Sequence, residues 1–260
     1  MVVFYMHFFN NPSNLRNACR NGIFTSTTSG HAPGYMQANV VILESSEAID
    51  FSIFCQKNSN ACPLLEVLKP GDPEPKRSAP NADIRTDLPL YKIFYNGLFS
   101  HETIDILDLW QDNFVTFLIG CSFTAEDALK KEGLSPKHLQ KAGNVPMFIT
   151  NRKTVASGKF YGSLVVSMRP YTPDDAKKAA LITSNYPMAH GAPIQIGDAD
   201  SLGIENINQP DYGSPVVLED NEIPVFWACG VTPQEAIRNA KPKIAITHSP
   251  GCMFVSELKA

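Results

Sequence analysis

Phe114-Val-Thr-Phe-Leu-Ile-Gly-Cys121-Ser-Phe-Thr124-Ala-Glu-Asp-Ala-Leu129 passes from an apolar run, through a glycine turn that carries a cysteine, into a segment with helical patterning. The run is short and rich in β-branched and aromatic residues, which reads as a strand. Val225-Phe-Trp-Ala-Cys229-Gly-Val-Thr232-Pro-Gln-Glu235-Ala-Ile237 repeats the grammar, and Ile244-Ala-Ile-Thr-His248-Ser-Pro-Gly251 ends a third apolar run in a histidine and a turn. Strand-to-helix corners of this kind belong to α/β proteins, whose ligand sites form where loops converge and helix N-termini present free N–H groups. Three such corners predict an α/β fold with a site for a small anion.

Composition supports a globular chain with a sizeable core. Hydrophobic residues make up 43% of 260 residues and charged residues 18%. A formal net charge of −4 and the absence of a basic run argue against nucleic acid as a partner. No stretch approaches the roughly 20 apolar residues of a membrane span. Met1-Val-Val-Phe-Tyr-Met-His-Phe-Phe9 lacks the basic start and small-residue cleavage pattern of a signal peptide, and reads as a first strand or a loose end. The six cysteines form no C-x-x-C pair and no metal-ligand spacing with the six histidines. Free buried thiols, a cytoplasmic location and no structural metal are expected.

Along the chain, helices are expected at Pro12–Gly22, with Ser13 or Asn14 near the cap, at Ser45–Lys57 and at Thr124–Glu132. Thr172-Pro-Asp-Asp175 starts another, with Thr as N-cap and Pro at the first helical position. Strands are expected over residues 38–43, 90–95, 114–119, 145–150 and 160–168, and Cys62–Leu68 looks extended. Thr25–Gly34 and Lys69–Arg77 read as loops. The order βαββα from Asn113 predicts a small two-layer unit. The expected organisation is therefore a discontinuous layered main domain, 1–112 plus 189–260, with an inserted domain at 113–188.

At this level of detail the motifs are recognisable. Gly34-Tyr-Met-Gln-Ala-Asn39, Cys62-Pro-Leu-Leu-Glu66, Ala82-Asp-Ile-Arg-Thr-Asp-Leu-Pro89 and Phe117-Leu-Ile-Gly-Cys-Ser-Phe123 occur in order. They are followed by Val166-Ser-Met-Arg-Pro170, His190-Gly-Ala-Pro193, Ile196-Gly-Asp198, Pro224–Gln234 and Ile246-Thr-His-Ser-Pro-Gly251. The chain resembles the D-glutamate cyclase family from about Arg16 onward. That resemblance implies two α/β parts and a lyase that releases water as D-glutamate closes to 5-oxo-D-proline, without a cofactor. Two departures stand out: Ala199 follows Gly197-Asp198 where the family usually has Pro, and Ser214 replaces an acidic residue.

Cyclising glutamate requires a grip on carboxylates, a proton acceptor for the ammonium, and stabilisation of a tetrahedral oxyanion. Cys121, at a strand end before a helix capped by Thr124, is placed for a thiolate nucleophile or for simple packing. Ser122 and neighbouring N–H groups suit an oxyanion pocket. Glu126, in the first helical turn, is an acid/base candidate or an offset to the helix dipole. Arg169 suits a bidentate clamp on a carboxylate or a structural ion pair. Arg85 is a second clamp candidate, although pairing with Asp87 in its turn is the preferred reading. His190 and His248 are candidate proton carriers, and Asp198 would orient one of them or act as a base. Asn39 and Thr232 are candidate substrate donors, with Thr232-Pro-Gln-Glu235 also explained as a capping box and Cys229 as packing. His7, His31, His101 and His138 read as surface residues. The expected partner is a small carboxylate, with self-association left open. Two other functions fit the same residues: a hydro-lyase for another small carboxylate, and a non-catalytic carboxylate-binding or sensing protein.

Overall fold

The computed structural model describes residues 8–141 and 143–260. The expectation for the extreme N-terminus, including His7, lies outside the described residues. Ten residues, Tyr35–Glu44, form β1, the spine of a seven-stranded sheet. Its neighbours are β5 (Phe114–Gly120) on one side and β10 (Ile244–His248) and β11 (Phe254–Lys259) on the other. The sheet extends outward through β2 (Leu64–Val67) beyond β5, and through β3 (Tyr91–Tyr95) and β4 (Leu98–Thr103) beyond β10. A second sheet is ordered β6 (Met147–Lys153), β7 (Ser163–Tyr171), β9 (Ile223–Ala228), β8 (Gln195–Ile196). Every strand pairing within the two sheets is antiparallel.

The α/β class is as expected, with helices packed on antiparallel sheets. Strands β1 and β5 read as unbroken apolar runs because both faces of the large sheet are covered. Ala38, Val40 and Ile42 pack into a core with Leu118, Tyr91, Ile93 and Phe254 on one face. Val41 and Leu43 pack on the other with α2 (Ser45–Lys57), through Phe51 and Phe54, and with α5 (Thr232–Ala240), through Ala236 and Ile237.

Two strands belong to different sheets from those expected. β5 lies beside β1, in register from Ala38↔Gly120 to Glu44↔Phe114. All seven of its residues are buried, and such a strand needs cover on both faces, which a thin inserted unit cannot supply. β9 pairs with β7 from Tyr171↔Ile223 to Val166↔Ala228, in the small sheet rather than the large one.

Local signals fared better. α2 has the expected limits, and α4 (Pro173–Ser184) starts with Thr172 accepting a hydrogen bond from the Asp175 N–H at 3.2 Å. α1 (Pro12–Arg20) is capped by Asn11 rather than by Ser13 or Asn14, and the Asn11 side chain accepts from the Ser13 and Asn14 N–H groups. Neither Thr124 nor Thr232 caps its helix. Thr124 Oγ1 accepts from the Gln37 N–H, and Thr232 Oγ1 accepts from the Val165 N–H while donating to the Cys229 carbonyl. Both hydroxyls fasten one element to another. Glu235 completes no capping box; its carboxylate accepts from the Tyr212 hydroxyl. No helix among the described residues is long and apolar enough to cross a membrane.

Candidate active site

β5 ends at Gly120, and Cys121 continues extended before a short 3-10 turn, Ser122–Ala125, leads into α3 (Glu126–Lys131). A turn at Pro187–Ala189 packs so closely on Gly120 that a side chain there would overlap the Met188 carbonyl. From the second sheet, β7 sends Ser167 and Arg169 to one side, two residues apart. Arg169 is 3% exposed, and its Nη2 donates to Glu126 Oε1 at 3.0 Å and to Ser122 Oγ at 3.1 Å. Nη1 reaches Ser167 Oγ at 3.3 Å, and the guanidinium lies over the Trp227 ring at 5.6 Å. Arg169 Nε is buried and has no acceptor among the described residues.

Glu126 is the hub of this group. Ser29, in the loop before β1, donates from Oγ to Glu126 Oε2 at 2.6 Å. His138 Nε2 lies 3.1 Å from Glu126 Oε1 and 3.1 Å from Ser29 Oγ. Burial alone would raise the Glu126 pKa, but His138, Arg169 and Ser29 together hold the carboxyl below its usual value. An ionised carboxylate only accepts hydrogen bonds, so the His138 proton must sit on Nε2. Nδ1 is then the ring nitrogen that Glu126 does not engage. The imidazole is stacked on Phe123 at 6.1 Å, which fixes its plane.

Ser29, Phe123, Glu126 and His138 line a cavity of about 800 Å³. His31 lines it too, half-buried, its Nδ1 accepting from the Phe9 N–H at 3.2 Å. Burial pushes the His31 pKa down.

A second set of expected residues sits deeper, where the 187–190 turn and the start of α5 meet the large sheet. His190 adopts a left-handed conformation (φ 76°) and bonds the Asn60 carbonyl through Nδ1 at 2.8 Å. His248 Nδ1 lies 3.1 Å from the Val40 nitrogen, which donates to it, and Nε2 has no partner among the described residues. Burial lowers both pKa values to about 4. Both rings are therefore neutral near pH 7, which weakens them as proton donors. Asn39 donates to the Ile119 and Gly120 carbonyls and stands against Gly230, where a Cβ would overlap its amide. Burial also raises the Cys121 pKa far above the thiol range and that of Cys229 to about 11. The thiolate expected at Cys121 is thus disfavoured, because burial outweighs the adjacent turn's N–H groups.

These two histidines carry a stability prediction. Between about pH 6.5 and 4 the unfolded chain binds protons that folded His190 and His248 refuse. Their contribution is therefore complete above the ordinary histidine pKa and is lost as pH falls through that window, on the order of 3 kcal/mol per ring. Urea unfolding at about pH 7, 6 and 5 is expected to show a shallower decline in His248→Gln than in wild type. Equal slopes would refute the assignment.

The remaining expected residues lie elsewhere. Asp198 is exposed and accepts from the Ser201 N–H, closing a turn. Arg85 pairs with Asp83 at 2.7 Å rather than with Asp87. Asp87 instead takes a two-pronged bond from Arg20, both contacts at 2.8 Å. Asp211 accepts from the Ile149 N–H. Among the described residues, no three His, Cys, Asp or Glu side chains converge as a metal site. The structure thus gathers Ser122, Glu126 and Arg169, adds Ser29 and His138, and leaves Asp198 and Arg85 outside. His138 was misjudged because Pro136-Lys-His-Leu-Gln-Lys141 is polar. The one available signal for Ser29 was a run of small residues directly before a buried strand.

Comparison with known proteins gives one consistent result. A family model described as D-glutamate cyclase matches residues 115–257. A protein of Bacillus pumilus (strain SAFR-032) is 49% identical over 246 residues, covering 95% of this chain and 94% of its own. A protein of Rhizobium johnstonii is 51% identical over 249 residues, covering 96% and 93%. Both bear the name "Putative hydro-lyase". A solved structure titled as a nitrogen repressor-like protein, from Methanococcus jannaschii, covers 90% of each chain at 11% identity. Its TM-score of 0.38 is too low to bear on fold or function.

Proposed function

The chain belongs to the D-glutamate cyclase family, and from that premise we propose that it is a hydro-lyase closing D-glutamate to 5-oxo-D-proline with loss of water. The observation that carries this reading is a buried, ionised Glu126 bonded to His138 and Ser29 in the wall of a ligand-sized cavity.

The reaction forms a bond between the substrate nitrogen and its γ-carbon and breaks a carbon–oxygen bond there. The ammonium gives up two protons as the ring N–H forms, and both depart with that oxygen as water. His138 Nδ1 takes these protons one at a time and passes each to the leaving oxygen, while Glu126 holds the opposite nitrogen and stabilises the imidazolium. Proton transfer by a positioned side chain contributes about 10²–10⁴-fold. His138 and Arg169 together keep Glu126 ionised. Amine and carboxyl belong to one molecule, so holding it folded supplies much of the remaining acceleration. The substrate amine is the nucleophile and the protein need supply none, which agrees with a protonated Cys121.

Chiral mass spectrometry of 5-oxoproline after incubation with D- or L-glutamate tests the proposal. Product from the D form is expected. Absence of product from either form, with folded protein, would contradict it and favour a protein that binds carboxylates without turnover.

A further inference from the structure

The cavity beside Glu126 is larger than free glutamate requires. Its volume of about 800 Å³ lies within the roughly 300–1,000 Å³ that holds drug-sized ligands. The mutually bonded Ser29, Glu126 and His138 form its polar corner. Much of the remaining wall is apolar, with Phe8, Phe9, Ile23, Phe24 and Tyr35 contributing. Phe24 packs edge-on to His31 at 5.0 Å and Phe9 edge-on to Phe24 at 5.6 Å, so this lining is an ordered aromatic surface. At its rim, Phe8 is 55% and Ile23 73% exposed.

Charge gives a second, independent constraint. Among the described residues, the acidic and basic side chains in the wall, the histidines aside, are Glu126, Asp127 and Lys130, two carboxylates against one ammonium. Arg169, behind Glu126, is already committed to it. Such a wall suits a ligand with one carboxylate better than a ligand with two.

We propose that the site acts on a glutamyl compound whose α-carboxyl is joined through an amide to an apolar group, as at the N-terminus of a short peptide. This inference rests on the cyclase reading above. The chemistry dictates where the apolar group attaches: ring closure uses the free amine and expels the γ-carboxyl oxygen, so neither group can carry it. The α-carboxyl is the functional group that remains. As with glutamate, the nitrogen–γ-carbon bond forms, the γ-carbon–oxygen bond breaks, and two ammonium protons leave with that oxygen as water. The α-amide is untouched, and the product is a 5-oxoprolyl amide. Removing the α-carboxylate charge satisfies the electrostatic constraint, and the apolar group covers the aromatic wall.

The test compares D-glutamyl-phenylalanine amide, D-glutamyl-glycine amide and free D-glutamate as substrates, with products quantified by mass spectrometry. The phenylalanine compound is expected to have a kcat/KM at least about tenfold above the other two, the scale of discrimination that an apolar pocket provides. Ile23→Asp, at an exposed rim position that does not threaten the fold, is expected to reduce that preference about fivefold. Turnover of free D-glutamate alone, or equal kcat/KM for all three, would overturn the inference and leave the cyclase reading intact. Turnover of none of them would overturn both.

Discussion

Arg169→Met is expected to destabilise the protein by about 3–5 kcal/mol, because it strips a buried carboxylate of its guanidinium partner. Glu126 and Arg169 are each 3% exposed, 3.0 Å apart, so water cannot replace the lost contact without opening the site. Adding Glu126→Gln to that variant is expected to restore a large part of the loss, since the uncompensated charge is then gone. The non-additivity separates an electrostatic role from simple packing. Guanidinium-chloride unfolding of wild type, both single variants and the double variant measures it. Strictly additive losses would show that the pair is not coupled and would leave only His138 and Ser29 to hold Glu126 ionised.

The second large effect is steric. Gly120→Ala drives a Cβ into the Met188 carbonyl oxygen, far inside contact distance, and that neighbour is backbone rather than a flexible side chain. Either β5 or the Pro187–Ala189 turn must move, and a moved turn withdraws His190 from Asn60. A loss of about 3 kcal/mol or more is expected, at or beyond the upper end of ordinary overpacking. Gly197→Ala is the control. That site is open, so only its positive φ of 82° opposes a side chain, and about 1–2 kcal/mol is expected. Comparable losses at the two sites would mean that the close approach at Gly120 relaxes freely.

How far the sequence discloses this protein depends on how local each signal is. The limits of α2 and the Thr172-Pro173 start of α4 were legible, because helix period and capping chemistry are written within a few residues. The placement of β5 was not. Its apolar run signals burial on both faces, but pairing with β1 joins segments 70 or more residues apart, and no local pattern encodes that choice. At the site, Glu126 and Arg169 were recognisable as chemistry-bearing residues, and the contact between them required the fold. His138 went unrecognised because its neighbours are polar, while its burial comes from closure against Ser29, 109 positions earlier. Cys121 misled for the opposite reason. A cysteine between strand and turn suggests an activated thiolate, and only the surrounding core, with Phe123, Val165 and Cys229, shows that burial keeps it protonated.

The central claim is that chemistry resides in the Ser29–Glu126–His138 group and not in the Cys121 thiol. The most direct measurement is kcat for 5-oxoproline formation by His138→Gln and Cys121→Ala, each shown by circular dichroism to be folded. A fall of about 10²–10⁴-fold is expected for His138→Gln and a change of less than about threefold for Cys121→Ala. Loss of activity in Cys121→Ala, with His138→Gln near wild type, would contradict that claim and return the reaction to a covalent route.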